Sequence, residues 1–202
     1  MNNTLTRNKK IALSAALSAL IIVLGITKLG LIPLGPAASI TILHVPIILA
    51  ACLAGLPSAL FTGAVFGIMS LIQAAMSPSG VLDPLFVNPL ISVLPRILLG
   101  LIAWALWKLF NSIPKMSKVA SAGITAFLST VCHTLLVIGC LYLFQGAAAR
   151  EGMGGAGYFA VIGMLAPQAA LEAVAATIIC TAVFAGLYIS SKRKSKLSSD
   201  KS

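Results

Sequence analysis

The chain has 202 residues, 59% of them hydrophobic and only 9% charged, with a mean hydropathy of +1.04. Soluble domains carry about a quarter charged residues, so this composition excludes a soluble globular fold, a disordered chain, a collagen and a secreted disulfide scaffold. A net charge of +10 would suggest nucleic acid in a soluble protein. Here most of it falls on one side of a membrane, and no nucleic-acid partner is expected.

A spanning helix takes ~20 mostly apolar residues. Residues 1–202 therefore read as a single all-α integral membrane domain of six transmembrane helices, in contact with the lipid bilayer throughout. The first apolar run, Ile11 to about Leu29, follows Arg7, Lys9 and Lys10. A basic start of this kind can open a signal peptide, but five further apolar segments follow it, with no soluble mature domain. A Gly/Pro-rich connection, Gly30 to Ser39, leads to a short second run, Ile40 to Ala54, which contains His44 and Pro46. After the turn Gly55-Leu56-Pro57-Ser58, a third run ends near Ala75. The proline-rich stretch Met76 to Pro89 precedes a fourth run, Leu90 to Phe110. A basic loop with Lys115 and Lys118 introduces the fifth, Val119 to Phe144. The Gly/Ala-rich stretch Gln145 to Gly157 reads as a loop, and the last span runs from about Ala166 to Ile189. Residues 158–165 are apolar enough either to extend that span or to cap the bundle. Residues 190–202 form a basic tail.

Charge sets the orientation. With six spans, Arg7, Lys9, Lys10, Lys108, Lys115, Lys118, Lys192, Arg193, Lys194, Lys196 and Lys201 share one side, against Lys28 and Arg150 on the other. Both termini are expected in the cytoplasm. The tail cluster Lys192-Arg193-Lys194 reads as a positive-inside stop. Cys52, Cys132, Cys140 and Cys180 lie within apolar runs without metal-like spacing and read as small buried hydrophobes.

Polar groups inside the spans are the informative positions, because a charge at mid-bilayer costs ~2.5–3.5 kcal/mol on insertion scales. Arg96 and Glu172 each lie about six residues into a span that begins outside, so both fall in the outer half. They are expected to face the bundle interior, paired with each other or with an anionic ligand. A guanidinium fork fits a carboxylate in bidentate fashion, which favours an acidic substrate. His44, Gln73, Asp83, Asn88, His133 and Gln168 complete the polar set, and their convergence on the outer half suggests a pocket there. No HxxxH or HExxH spacing is present, so no metal site is expected. The absence of GxSxG argues against a membrane enzyme, and no cofactor is expected. No GxxxxGK[ST] occurs either; if ATP drives this protein, another chain binds the nucleotide. In the first span Ala12, Ala15, Ala16 and Ala19 form a flat stripe of small residues, and Gly63 and Gly67 form a GxxxG in the third; such stripes let helices approach closely. Internal packing accounts for the glycines, while the alanines could face a second protein.

Three stretches together resemble a known family: Ile40-Thr41-Ile42-Leu43-His44-Val45-Pro46 with Gly55-Leu56-Pro57; Phe86-Val87-Asn88-Pro89 leading into Leu94-Pro95-Arg96-Ile97-Leu98-Leu99-Gly100; and Cys132-His133-Thr134-Leu135-Leu136-Val137, where His133 stands in place of an Asn found in many relatives. In order and spacing they are similar to the substrate-binding S-components of energy-coupling factor (ECF) vitamin transporters, over nearly the whole chain. The resemblance implies a six-helix, multi-pass protein of the bacterial plasma membrane that captures a vitamin from outside. It also implies partners, a membrane coupling protein and two ATPase subunits, with release inside attributed to toppling in the membrane. The first-span alanines match the AxxxA helix with which the family docks onto the coupling protein.

The stretch from Pro33-Leu34-Gly35-Pro36 to His44-Val45-Pro46 is most similar to pantothenate-type members, and Arg96 suits the carboxylate of pantothenate. Riboflavin, folate or a thiamin precursor are the alternatives. A stand-alone secondary carrier is the other class; it would be marked by inverted repeats, which the sequence does not display. On the pantothenate reading Arg96 holds the carboxylate, and His44, Gln73, Asn88 and His133 bond the hydroxyl and amide groups. Glu172 orients Arg96 or binds a ligand donor, and the Met76–Pro89 and Gln145–Gly157 stretches close over the mouth.

Overall fold

A computed structural model describes the backbone of residues 5–33, 39–78 and 82–199. Leu34-Gly35-Pro36, part of the pantothenate-like stretch, and Lys201 of the tail lie outside these residues. The described chain is helical except for one small hairpin. Five helices are long and apolar enough to cross a membrane: Arg7–Ile26, Leu56–Met76, Pro89–Asn111, Lys118–Gly152 and Tyr158–Ser190. A sixth, short helix packs among them.

Helix α1 (Arg7–Ile26) buries Ser14, Leu17, Ser18, Ile21 and Gly25. At 20 residues it rises about 30 Å, the thickness of a hydrocarbon core. A hairpin follows, in which β1 (Leu31–Pro33) pairs antiparallel with β2 (Ser39–Thr41), Ile32 opposite Ile40. The apolar run Ile40 to Ala54 is therefore not one helix, as its hydrophobicity suggests. It enters as a strand, and helix α2 occupies only Val45–Leu53. Pro46, in the first turn of α2, needs no helical donor there, which makes the position a natural start. Nine residues rise only about 14 Å, too little to span a bilayer. Val45 through Ala51 are all buried. A helix apolar on every side belongs in the middle of a bundle, and α2 touches α1, α3, α5, α6 and α7.

Gly55, at φ 95°, reverses the chain between α2 and α3 (Leu56–Met76). The proline-rich connection holds a 3-10 helix, Asp83–Val87, and then α4 (Pro89–Ser92) and α5 (Leu94–Asn111), separated only by Val93. Helix α6 (Lys118–Gly152) begins at Ser117, whose hydroxyl accepts from the Ala120 N–H at 3.1 Å, a side-chain cap. Here the structure corrects the sequence reading of Gln145 to Gly157 as a loop. Within α6 only Gln145 leaves helical geometry (φ −141°, ψ 40°), and the chain resumes as helix to Gly152; the loop is confined to residues 153–157, where Gly154 and Gly155 take positive φ. Residues 158–165 belong to α7 (Tyr158–Ser199), which runs on through Pro167 and into the basic tail.

In lipid, helices gain little from hydrophobic association and rely on close packing. Gly63 and Gly67 let α3 seat directly on the backbone of the next span: a Cβ at Gly63 would lie 2.5 Å from the Arg96 carbonyl oxygen, and one at Gly67 2.6 Å from Val93 Cα. Gly100 reciprocates, against the Ala59 carbonyl oxygen at 2.7 Å. The GxxxG is thus an internal seam, as its spacing predicts. On the opposite side Gly123 of α6 meets the Thr181 methyl of α7. The four cysteines are free; Cys140 and Cys180 are buried and Cys52 and Cys132 partly so. Gly63→Ala should lower thermal stability in detergent by about 1–3 kcal/mol, the usual cost of overpacking. Gly163→Ala, which meets nothing within 4 Å, should leave melting unchanged. Equal melting of the two variants would refute the seam.

Candidate functional site

The site begins with a proline. Pro95 has no N–H, so the carbonyl four residues earlier, on Ile91, receives no helical hydrogen bond from it. The adjacent residue fills the gap: Arg96 Nη1 donates to the Ile91 oxygen at 2.8 Å. The guanidinium is buried and lies between two phenyl rings, 5.5 Å from the centroid of Phe66 on α3 and 5.2 Å from that of Phe86 in the 3-10 helix. Cation–π attraction to both rings favours the charge at this position. The Ser92 hydroxyl donates to the Phe86 carbonyl and anchors that ring's segment on α4. Arg96 Nε has no hydrogen-bond partner.

Next to Phe66 lies His133 of α6, with ring centroids 6.1 Å apart, and His133 stacks on His44 at 5.7 Å and 22°. His44 caps the start of α2 and is fully buried; its Nε2 lies 3.0 Å from Thr130 Oγ1, whose hydroxyl also reaches the Ala126 carbonyl. Arg96, Phe66, His133 and His44 thus form a continuous line from α5 through α3 and α6 to α2. Arg96 Nε, His133 Nε2, His44 Nδ1 and, one turn before His133, Ser129 Oγ are all buried without a hydrogen-bond partner. Each such group costs about 1–3 kcal/mol if it stays unpaired. Most buried polar groups in native folds are satisfied, so this concentration calls for an occupant.

The other polar positions have partners within the fold. Gln73 Nε2 donates to the Gly25 carbonyl at 2.6 Å, tying α3 to the end of α1. Asn88 Oδ1 accepts from the Leu90 N–H at 3.0 Å and caps α4. Glu172 does not orient Arg96, in contrast to the expectation from matched depth. Its Oε1 accepts from the Thr41 backbone N–H at 2.7 Å and from Gln168 Nε2 at 3.3 Å. Matched depth places two residues in one layer of a bundle but leaves their angular positions free, and α7 carries Glu172 to the hairpin. Thr130, Phe66, Phe86 and Thr41 were not foreseen. The aromatic pair had a signal, since phenyl rings flanking a lone buried arginine are its cheapest company in an apolar interior. Gln145, the one non-helical residue of α6, also buries an unpartnered Oε1. Among the described residues no cluster of His, Cys, Asp and Glu could hold a metal ion.

Because Arg96 and Glu172 are held by separate backbone groups, Arg96→Met and Glu172→Met should destabilise the protein additively, within about 0.5 kcal/mol in a double-mutant cycle by denaturant unfolding. A larger coupling would restore the ion pair.

Residues 9–184 match the family described as ECF transporter, substrate-specific component. A pantothenic acid transporter, PanT, from Lactococcus lactis subsp. cremoris (strain MG1363) is 26% identical over 161 residues, covering 73% of this chain and 76% of the relative. A pantothenate transporter, PanT, from Leuconostoc mesenteroides subsp. mesenteroides is 39% identical over 77 residues, which are 37% of this chain and 38% of that protein. On this match the chain belongs to the substrate-specific components of ECF transporters, a family of transporter subunits rather than enzymes.

Proposed function

We propose that this protein is the pantothenate-binding component of an ATP-driven importer of a bacterial plasma membrane, working with a transmembrane coupling protein and two ATPase subunits. The observation behind this reading is the set of unpartnered buried polar atoms around Arg96. With Nη1 committed to Ile91, the guanidinium keeps the edge formed by Nε and Nη2, which suits a carboxylate held by two parallel hydrogen bonds. His133 and His44, further along the line, supply donors and acceptors for the hydroxyl and amide groups of pantothenate. Asn88 and Gln73 complete the rim with the amide atoms that their structural bonds leave over. The names of the two relatives favour the same ligand.

Positive charge puts both termini in the cytoplasm and the ligand site in the outer half of the membrane. Short as α2 is, it can complete a sixth crossing. Its nine residues supply about 14 Å and β2 (Ser39–Thr41) about 10 Å more, with the turn at residues 42–44 joining the two. Ala12, Ala15, Ala16 and Ala19 are exposed on α1, while Ser14, Leu17, Ser18 and Ile21 face the bundle. That exposure supports a docking surface for the coupling protein.

Arg96→Ala should weaken pantothenate binding by about 1.5–3 kcal/mol, the range for hydrogen bonds to a charged group, when measured by calorimetry on the purified protein. An analogue lacking the carboxylate should lose far less. An equal loss for both would make Arg96 structural and remove the main physical support for an acidic ligand. Ala15→Trp should abolish uptake by cells while the isolated protein still binds pantothenate. Loss of binding in that variant would mean that the stripe packs internally.

A further inference from the structure

Glu172 is a buried carboxylate that, among the described residues, is held by the Thr41 N–H and by Gln168 rather than by a cation. A group so costly to bury is retained where its hydrogen bonds matter, and the more important of them goes to backbone. Thr41 ends β2, and its N–H points away from the hairpin to Glu172 Oε1. From Thr41 a series of hydrogen bonds holds the chain on its way to the site. The Ile42 N–H donates to the Gly30 carbonyl at 3.1 Å, Leu43 N–H donates to Thr41 Oγ1 at 3.3 Å, and Val45 N–H donates to the Ile42 carbonyl at 3.1 Å. The His44 carbonyl then accepts from Ile47 and Ile48 as α2 begins. There is no slack between the carboxylate on α7 and the imidazole of His44, three residues beyond Thr41.

We propose that Glu172 is a positioning residue for His44: through the Thr41 N–H it fixes the entry into α2, and so sets the His44 ring against Thr130 and His133. It neither touches the ligand nor neutralises Arg96. Gln168, one turn earlier on α7, donates to the same oxygen and holds the carboxylate in place. This role rests on the reading of His44 as a ligand contact given above, so its test includes an arm that needs no ligand.

Pantothenate affinity of the full-length protein would be measured for Glu172→Ala, His44→Ala and the double variant. Glu172→Ala should weaken binding by about tenfold alone and by less than about twofold in the His44→Ala background, because residues acting through one contact are not additive. Glu172→Gln, which keeps an oxygen acceptor for Thr41, should recover most of the loss. Multiplying effects in the double variant, or a Glu172→Gln as weak as Glu172→Ala, would overturn the proposal. In the ligand-free arm, Ile42→Cys would be labelled with a maleimide and followed by mass spectrometry at that position. Labelling should quicken about fivefold or more with Glu172→Ala, as expected for local opening, and stay slow with Glu172→Gln. Unchanged labelling in Glu172→Ala would overturn the tether. An unchanged affinity in His44→Ala would instead overturn the ligand-site reading, with the labelling arm still deciding the tether.

Discussion

A carbonyl that Pro95 cannot serve determines where the guanidinium of Arg96 goes. In an apolar interior an unsatisfied backbone oxygen costs several kcal/mol, and Arg96 satisfies the one on Ile91 from the very next residue. The arrangement places a cation in the bundle with no neutralising anion among the described residues. It also orients that cation, because Nη1 is held by the Ile91 oxygen and the rings of Phe66 and Phe86 pack close to its carbon. Gly63 makes the arrangement possible by letting α3 lie on the Arg96 backbone, which brings Phe66, three residues further along α3, within reach of the charge.

Arg96 and Glu172, the two buried charges among the described residues, are handled alike and apart. Arg96 gives a hydrogen bond to backbone, and Glu172 accepts one from backbone. Had they met, the pair would have consumed the binding capacity of both, and breaking it to admit a ligand would leave a buried charge unpaired, at a cost of about 3–5 kcal/mol. Kept apart, each supports its own segment: Arg96 the junction of α4 and α5, Glu172 the entry to α2. Along the line of rings between Arg96 and His44, several buried polar atoms then remain without partners.

Much of this was legible in the sequence, and the parts that were not share a cause. The long apolar runs appear as helices because few other structures satisfy a backbone in lipid. Gly63 and Gly67 disclosed their seam by spacing alone. Arg96, His44 and His133 stood out as polar residues in apolar runs, and they do converge. What failed were inferences about short segments and distant partners. Ile40 and Thr41 are as apolar and β-branched as a strand needs, and a short run does not reveal whether it will be helix or strand. The stretch after Gln145 reads as a loop by its glycines, yet Ala147, Ala148 and Ala149 are strong helix formers, so helix continues to Gly152 and only residues 153–157 form the loop. Glu172 finds Thr41 across 131 residues and His44 finds Thr130 across 86. Such pairings depend on the angular setting of helices around the bundle, which hydropathy does not encode.

The central claim, that a small carboxylate-bearing vitamin occupies the line from Arg96 to His44, is tested most directly by what the protein holds when it is purified. Protein extracted from membranes without added ligand, washed and denatured, would release its bound small molecule for mass spectrometry. Pantothenate is expected, retained by the wild-type chain and depleted from Arg96→Ala purified in parallel. A retained flavin or a neutral compound, or pantothenate held equally by both proteins, would contradict it.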